Sequence, residues 1–123
     1  MSAVPFDIAT AGTAPATVPQ LRTECYIYQL VPGQGPLYDR YHADVWPEVL
    51  ESIRAAGVSD YSIYRRGDLV VSVWTRDLKA PEPSLSPEIR QKVEEWDTLM
   101  EPLFVAYQDE HAQPLFAERI FRL

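Results

Sequence analysis

Residues 38–53 read YDRYHADVWPEVLESI, and this stretch decides how the rest of the chain is interpreted. At about 100° per residue, its aromatic and aliphatic side chains fall on one broad arc of a helix, and most charged side chains fall on the other. His42 lies on the apolar arc, one turn after Tyr38 and one turn before Trp46. A phenol, an imidazole and an indole are therefore predicted to line one inward-facing stripe.

The same stretch contains a proline that interrupts a helix. Pro47 has no backbone N–H to donate and disfavours helical backbone at Trp46 before it. We expect a kink or break over residues 44–47, with the second piece beginning near Asp44 or Val45. A break beside His42 would open space through which a small ligand could reach the imidazole.

Composition favours one soluble domain and excludes several classes of partner. The 123 residues suffice for one core, and 46% of them are hydrophobic. The net charge of −7 argues against nucleic acid and anionic membranes, because both need clustered lysine and arginine. No window is long and apolar enough to cross a bilayer. Cys25 is the single cysteine, which suits a reducing compartment, so a cytoplasmic protein is expected.

The start of the chain differs from the rest. Residues 1–20 are rich in alanine, threonine and proline, without a helical or strand period. They also lack the basic start and continuous apolar core of a secretion signal. We therefore divide the chain into a flexible N-terminal extension, residues 1–21, and one domain, residues 22–123.

Periodicity over the domain predicts the order β-α-β-β-α-β. Gly57 is expected to end the first helix, and Ser86, which precedes Pro87 and an acidic residue, to cap the second. This order is the ferredoxin-like α+β arrangement, in which both helices cover one face of a four-stranded antiparallel sheet. The predicted elements are a strand over residues 22–31, a broken helix over 37–56, strands over 58–66 and 69–75, a helix after Ser86, and a strand over 115–123.

The predicted sheet has apolar side chains on both faces, whereas the helices cover only one. Leaving apolar area in water costs about 25 cal/mol per Å². A second copy of the chain could cover the open face, so a homodimer is expected.

Two motifs in combination resemble the L-rhamnose mutarotase family. Its members carry Y-x-x-x-H-x-x-x-W-P-E-L after the first strand and N-Y-x-I-Y in the second. The corresponding segments here are YDRYHADVWPEVL, residues 38–50, and DYSIY, residues 60–64. The likeness runs from about Cys25 to Tyr64 without an obvious gap, then more loosely to Leu123.

The resemblance implies a dimeric α+β barrel that interconverts the α and β anomers of a free 6-deoxy-L-hexose without a cofactor, with L-rhamnose as the expected sugar. It implies that His42 transfers the proton and that Tyr38 and Tyr61 bind the sugar. The family also has a tandem tryptophan pair on the second helix, and Trp96 followed by Asp97 occupies those positions here. Because only the first tryptophan is kept, a different L-sugar such as L-fucose could be accommodated.

Mutarotation opens a cyclic hemiacetal and recloses it on the other face of the anomeric carbon. A histidine with a pKa near about 6.5 can both take and give the protons, and such assistance is typically worth ~10²–10⁴-fold. The reaction requires no nucleophile, metal or hydride carrier. The second proton-transfer group stays open between Tyr61, Asp97 and a bound water.

Other interpretations of the same residues remain. Taken without the resemblance, His42 is more often a hydrogen-bonded core residue, and Tyr38, Trp46 and Trp96 are more often core packing. Neither His42 nor His111 has a second His or Cys at ligand spacing, so no metal site is predicted. The alternatives are a cofactor-independent monooxygenase or haem-dependent relative on the same barrel, and a non-catalytic barrel that binds a ligand or only fills its own cleft.

Overall fold

Five strands and three α-helices make up residues 18–123, the part of the chain that this computed structural model describes. A 3₁₀ turn, Glu101–Leu103, joins the last helix to the strand after it. The predicted flexible extension falls mainly on residues 1–17, which lie outside the described residues. The elements are β1 (Leu21–Leu30), α1 (Gly35–Ala43), α2 (Pro47–Ala55), β2 (Val58–Arg66), β3 (Leu69–Asp77), α3 (Pro87–Met100), β4 (Phe104–Ala106) and β5 (Phe116–Ala117).

The strands form one antiparallel sheet in the order β2-β3-β1-β4, and β5 also pairs with β1. β2 is therefore an edge strand, and its register with β3 shifts between Val58 and Asp60. This order is the ferredoxin-like one, so the predicted α+β fold class is confirmed.

The last predicted strand was wrong in its position and length. A single strand over residues 115–123 was expected. Instead, two short strands, β4 and β5, both pair with the same edge of β1, and residues 107–115 form a loop between them. Residues 118–123 form no strand. Alternate positions of that segment mix charged and apolar side chains on both faces, so neither face offers a stripe to bury.

The hydrophobic core lies between one face of the sheet and the helices. Leu30, Val70 and Trp74 on that face are completely buried. Since α1, α2 and α3 all contribute to the same cluster, the three helices cover the same face, as predicted. The helical members of the cluster are Tyr38, Val49, Trp96 and Met100, and the others from the sheet include Tyr26, Tyr28 and Val58.

The opposite face of the sheet carries a second set of apolar side chains. Strand register places Ile27 of β1 against Val71 of β3, and Val71 against Tyr64 of β2. No helix of residues 18–123 packs on this outer face, and Tyr64 is 63% and Leu69 47% exposed. The expectation of an open apolar face is thus met within the described residues.

The expected break in the first helix is present. α1 ends at Ala43 and α2 begins at Pro47, so the second piece starts later than the predicted Asp44 or Val45. Trp46 has φ −59° and ψ 138°, an extended conformation that the following proline favours. Pro47 then occupies the first helical position, where its missing N–H costs no hydrogen bond.

A bidentate ion pair fixes α1 against β2. Arg65 Nε and Nη2 lie 2.7 and 2.5 Å from the two carboxylate oxygens of Asp39, and Nη1 donates to the Gly67 carbonyl at 2.7 Å. A Cβ at Gly35 would lie 2.4 Å from Arg65 Nη1. Glycine at this position therefore lets the guanidinium cross the start of α1.

The core assignment predicts the effect of truncating Leu30. Its side chain is 0% exposed, so Leu30→Ala should lower the free energy of unfolding, measured with urea, by about 2–5 kcal/mol. Val105→Ala is the control, because Val105 is 57% exposed in β4 and its truncation should change stability by less than about 0.5 kcal/mol. Equal losses in the two variants would contradict the assignment.

Candidate active site

His42 lies in the last turn of α1, immediately before the helix break. Its Nδ1 is 2.9 Å from the carbonyl oxygen of Tyr38, one turn earlier. Because a carbonyl oxygen only accepts hydrogen bonds, Nδ1 carries a proton, and Nε2 is the atom at which the ring gains or loses its other proton. The Tyr38 ring also stacks on the imidazole, with ring centroids 4.0 Å apart and planes 27° from parallel. Backbone and side chain of one residue thus fix the orientation of the imidazole.

Burial lowers the pKa of His42 below its usual value of 6.5. The hydrogen bond to the Tyr38 carbonyl and the carboxylate of Asp39 oppose this shift, because both favour the charged ring. At neutral pH the ring is therefore mainly neutral, and Nε2 is available to accept a proton.

A cavity of about 490 Å³ lies between the helices and the sheet, and His42 is part of its wall. This volume falls in the range of small-molecule sites, roughly 300–1,000 Å³. The expectation that space opens beside His42 is met. Aliphatic side chains from the break and from α2 form one side of the wall: Val45, Val49, Leu50 and Ile53.

Trp96 forms an aromatic part of the wall. It reaches the cavity from α3, where helical periodicity turns Trp96 and Met100 towards the core. The ring centroid of Trp96 is 5.6 Å from that of His42, in an edge-on arrangement. Trp46 packs edge-on against Trp96 at 5.3 Å and does not line the cavity. Trp46 therefore supports the wall from behind.

Tyrosine hydroxyls meet at the sheet side of the cavity. The Tyr28 hydroxyl is 2.9 Å from the Tyr38 hydroxyl and 2.9 Å from Ser72 Oγ. Burial raises the pKa of Tyr28, Tyr38 and Tyr61 above the usual 10. These hydroxyls consequently keep their protons near neutral pH, and each can donate one hydrogen bond and accept others.

Four of the five residues predicted for the site come together. His42, Tyr38, Tyr61 and Trp96 all line the one cavity. Asp97, the fifth, does not line it.

Sequence analysis missed two hydroxyls of the site, those of Tyr28 and Ser72. Tyr28 lies within the predicted first strand, where an aromatic residue indicates packing and not a role in a site. Ser72 stands between Val71 and Val73 in a strand of apolar residues. A polar residue at an inward position of such a strand was the available signal.

Residues 18–123 contain neither a cluster of metal ligands nor a helix that could span a membrane. Groups of three or more His, Cys, Asp or Glu side chains that could hold a metal ion are absent from this part of the chain. Its helices are all too short or too polar to cross a membrane.

Comparison with known proteins identifies the family. The sequence model of the L-rhamnose mutarotase family matches residues 23–123. The chain belongs to the L-rhamnose mutarotase family. The family resemblance carried by the two motifs is thereby confirmed, and the family is one of isomerases that act on carbohydrates.

Two mutarotases are similar to this chain over part of its length. An L-rhamnose mutarotase of Verminephrobacter eiseniae is 60% identical over 35 residues, 28% of this chain and 33% of that protein. An L-fucose mutarotase of Xanthomonas campestris pv. campestris is 29% identical over 82 residues, 62% of this chain and 66% of that protein. The first of these alignments thus spans only about a third of its relative's length.

A solved member shares the fold. The crystal structure of an L-rhamnose mutarotase from Formosa agariphila superposes with a TM-score of 0.59 at 20% identity. The match covers 83% of this chain and 98% of that one. The ferredoxin-like sheet and its helices are therefore common to both.

The lowered pKa of His42 predicts how stability depends on pH. The unfolded chain takes up a proton on His42 at higher pH than the folded chain does, so stability is full above about pH 6.5 and is lost as the pH falls through the lowered folded pKa. The free energy of unfolding, measured with urea, should therefore fall between about pH 7.5 and about pH 5, and by less in His42→Asn.

Other groups do not obscure this comparison. The carboxylates of Asp39, Asp77 and Asp109 have pKa values lowered below 3.8, so they titrate at more acidic pH. His111 is present in both proteins. Parallel pH curves for the wild type and His42→Asn would contradict a lowered pKa at His42.

Proposed function

We propose that this chain is a cofactor-free mutarotase that interconverts the anomers of a 6-deoxy-L-hexose, with L-rhamnose as the first candidate. The observation that carries the proposal is a neutral imidazole, His42, in the wall of a cavity that also presents neutral tyrosine hydroxyls and a tryptophan ring. Membership of the mutarotase family supports the reaction, and the names of its relatives support the sugar.

Ring opening uses the neutral form of His42. Nε2 accepts the proton of the anomeric hydroxyl while the ring oxygen gains a proton from a neutral donor, and the bond between C1 and the ring oxygen breaks. The products are the open-chain aldehyde, a protonated imidazole and a donor that has lost its proton, so the total charge is unchanged. Ring closure reverses these steps after rotation about the C1–C2 bond, so the ring oxygen attacks the other face of C1 and His42 returns its proton.

The remaining wall residues fit a deoxy sugar. Trp96 offers an aromatic surface to C–H groups of the sugar, and Tyr38 and Tyr61 offer hydrogen bonds to its hydroxyls. The aliphatic side chains of α2 suit a methyl group at C6 better than a hydroxymethyl group, because a hydroxyl buried there would lose its hydrogen bonds to water. Asp97 has no role in the proposal, because it does not line the cavity.

Exchange between sugar anomers measured by saturation-transfer NMR tests this function. The wild type should accelerate exchange of L-rhamnose, and His42→Ala should lower the rate by about 10²–10⁴-fold, the usual contribution of general acid–base catalysis. L-fucose belongs in the same panel, because an L-fucose mutarotase is among the relatives.

His111→Ala is the matched control, since His111 is exposed and outside the cavity. Its exchange rate should equal that of the wild type. Exchange that is as fast in His42→Ala as in the wild type would overturn the proposed role of His42.

We also propose that two copies associate through the outer face of the sheet. Ile27, Val71 and Val73 lie side by side there, flanked by the exposed rings and aliphatic chains of Tyr64 and Leu69. An apolar surface of this kind is removed from water when two sheets pack face to face. A cytoplasmic location completes the proposal, because a free sugar is metabolised there and the single cysteine fits reducing conditions.

A charge on the outer face should dissociate the dimer. Tyr64→Asp is suitable because the side chain is 63% exposed in the single copy and its loss should leave the fold intact. Sedimentation velocity should show a dimer for the wild type and a monomer for Tyr64→Asp. Glu51→Lys, on the exposed side of α2, is the control and should remain dimeric. A wild type that is monomeric at every accessible concentration would contradict the proposed interface.

A further inference from the structure

Ser72 occupies an unusual place for a hydroxyl. It lies in the middle of β3, faces the helices, and is 0% exposed. Burying a hydroxyl is unfavourable unless it is hydrogen-bonded. Ser72 meets this requirement through Tyr28, whose hydroxyl lies 2.9 Å from Ser72 Oγ, and the side chain of Tyr61 is a second hydrogen-bond partner of Ser72.

Tyr28 connects Ser72 to the cavity wall. Its hydroxyl is also 2.9 Å from that of Tyr38, and the two rings are only 4% and 2% exposed. The three hydroxyls therefore form a chain that crosses from β3 through β1 to α1. The chain ends at Tyr38, whose ring stacks on the imidazole of His42.

The hydrogen atoms of this chain have two consistent arrangements. In the first, Ser72 donates to Tyr28 and Tyr28 donates to Tyr38, so the hydrogen of Tyr38 is left for a ligand. In the second, Tyr38 donates to Tyr28 and Tyr28 donates to Ser72, so Tyr38 offers a lone pair instead. Both arrangements contain the same two hydrogen bonds, and rotation of the hydroxyls converts one into the other.

Burial keeps the chain uncharged. The raised pKa values of Tyr28 and Tyr38 mean that neither loses its proton near neutral pH. A change at one end is therefore transmitted by reversing hydrogen bonds, without charging any of the three groups.

Ring opening changes the hydrogen bonds that one atom of the sugar can make. The ring oxygen of the closed sugar can only accept a hydrogen bond, whereas in the open form the same oxygen carries a hydrogen and can donate one. A single protein hydroxyl beside this atom can therefore only donate to it in the closed form, whereas in the open form it can also accept a hydrogen bond from it.

We propose that Tyr28 and Ser72 are positioning residues that allow the Tyr38 hydroxyl to change between donor and acceptor as the sugar ring opens and closes. This inference rests on the proposed mutarotase function. It adds two residues on the sheet side of the cavity that act on the sugar through Tyr38.

Anomer exchange at increasing L-rhamnose concentration separates kcat from KM in the test variants. Tyr28→Phe and Ser72→Ala each remove one link, so kcat should fall about 3- to 10-fold, the effect of one net hydrogen bond, with KM changed by less than about twofold. Ser72→Thr keeps the hydroxyl and should restore kcat relative to Ser72→Ala.

Tyr26→Phe is the matched control for loss of a buried tyrosine hydroxyl. Tyr26 lies on the same face of β1, is 4% exposed, and donates to the carbonyl of Tyr107 outside the cavity. The variant Tyr26→Phe should lower the free energy of unfolding, measured with urea, as Tyr28→Phe does, but it should keep the wild-type kcat.

The outcomes separate this inference from the proposed function. If His42→Ala abolishes exchange while Tyr28→Phe and Ser72→Ala keep the wild-type kcat, the chain has no role and the function stands. If Tyr26→Phe loses kcat as strongly as Tyr28→Phe, the effect is one of general stability and the inference is overturned. If Tyr28→Phe does not fold, the comparison of Ser72→Ala with Ser72→Thr decides. A wild type that does not accelerate exchange overturns both proposals.

Discussion

The conflict between Pro47 and a continuous helix is the constraint on which the site depends. A helix running through residues 44–46 would bury His42 along an unbroken apolar stripe. Because Trp46 is forced into an extended conformation, α1 ends one residue after His42 and α2 starts in a new direction. His42 therefore lies at the end of a helix, where its imidazole can face the cavity.

The second condition is that the imidazole and the tyrosine hydroxyls of this cavity are uncharged, whereas the charged side chains of its wall, Arg54 and Asp60, are exposed. Burial lowers the pKa of His42 and raises those of Tyr28, Tyr38 and Tyr61, so all four are neutral near pH 7. The ion pair of Asp39 with Arg65 lies on the exposed side of α1.

Sequence patterns predicted those features that have a local cause. Strand alternation, capping at Ser86 and the proline at position 47 each act over a few residues, and the elements that they indicate are present. The inward direction of His42 followed from helical periodicity alone. Its partnership with Tyr61 and Trp96, which come from other elements, was available only through the family resemblance.

Features that depend on distant pairing were missed. The fourth position in the sheet is taken by the first residues after α3 that can pair with β1. The short apolar run Phe104–Ala106 pairs there, ahead of the strand that was predicted to begin at residue 115. Ser72 and Tyr28 were missed for a similar reason. A hydrogen bond between hydroxyls on neighbouring strands does not change the alternation of polar and apolar residues within either strand.

The exposed edge of β2 has a consequence for how copies of the chain meet. An edge strand with free backbone groups invites another strand to extend the sheet, unless charges or irregular backbone prevent it. β2 ends in two arginines, and its register shift between Val58 and Asp60 interrupts regular pairing at the other end. Sideways growth of the sheet through β2 is thereby discouraged, so the outer face of the sheet remains as the contact surface of the proposed dimer.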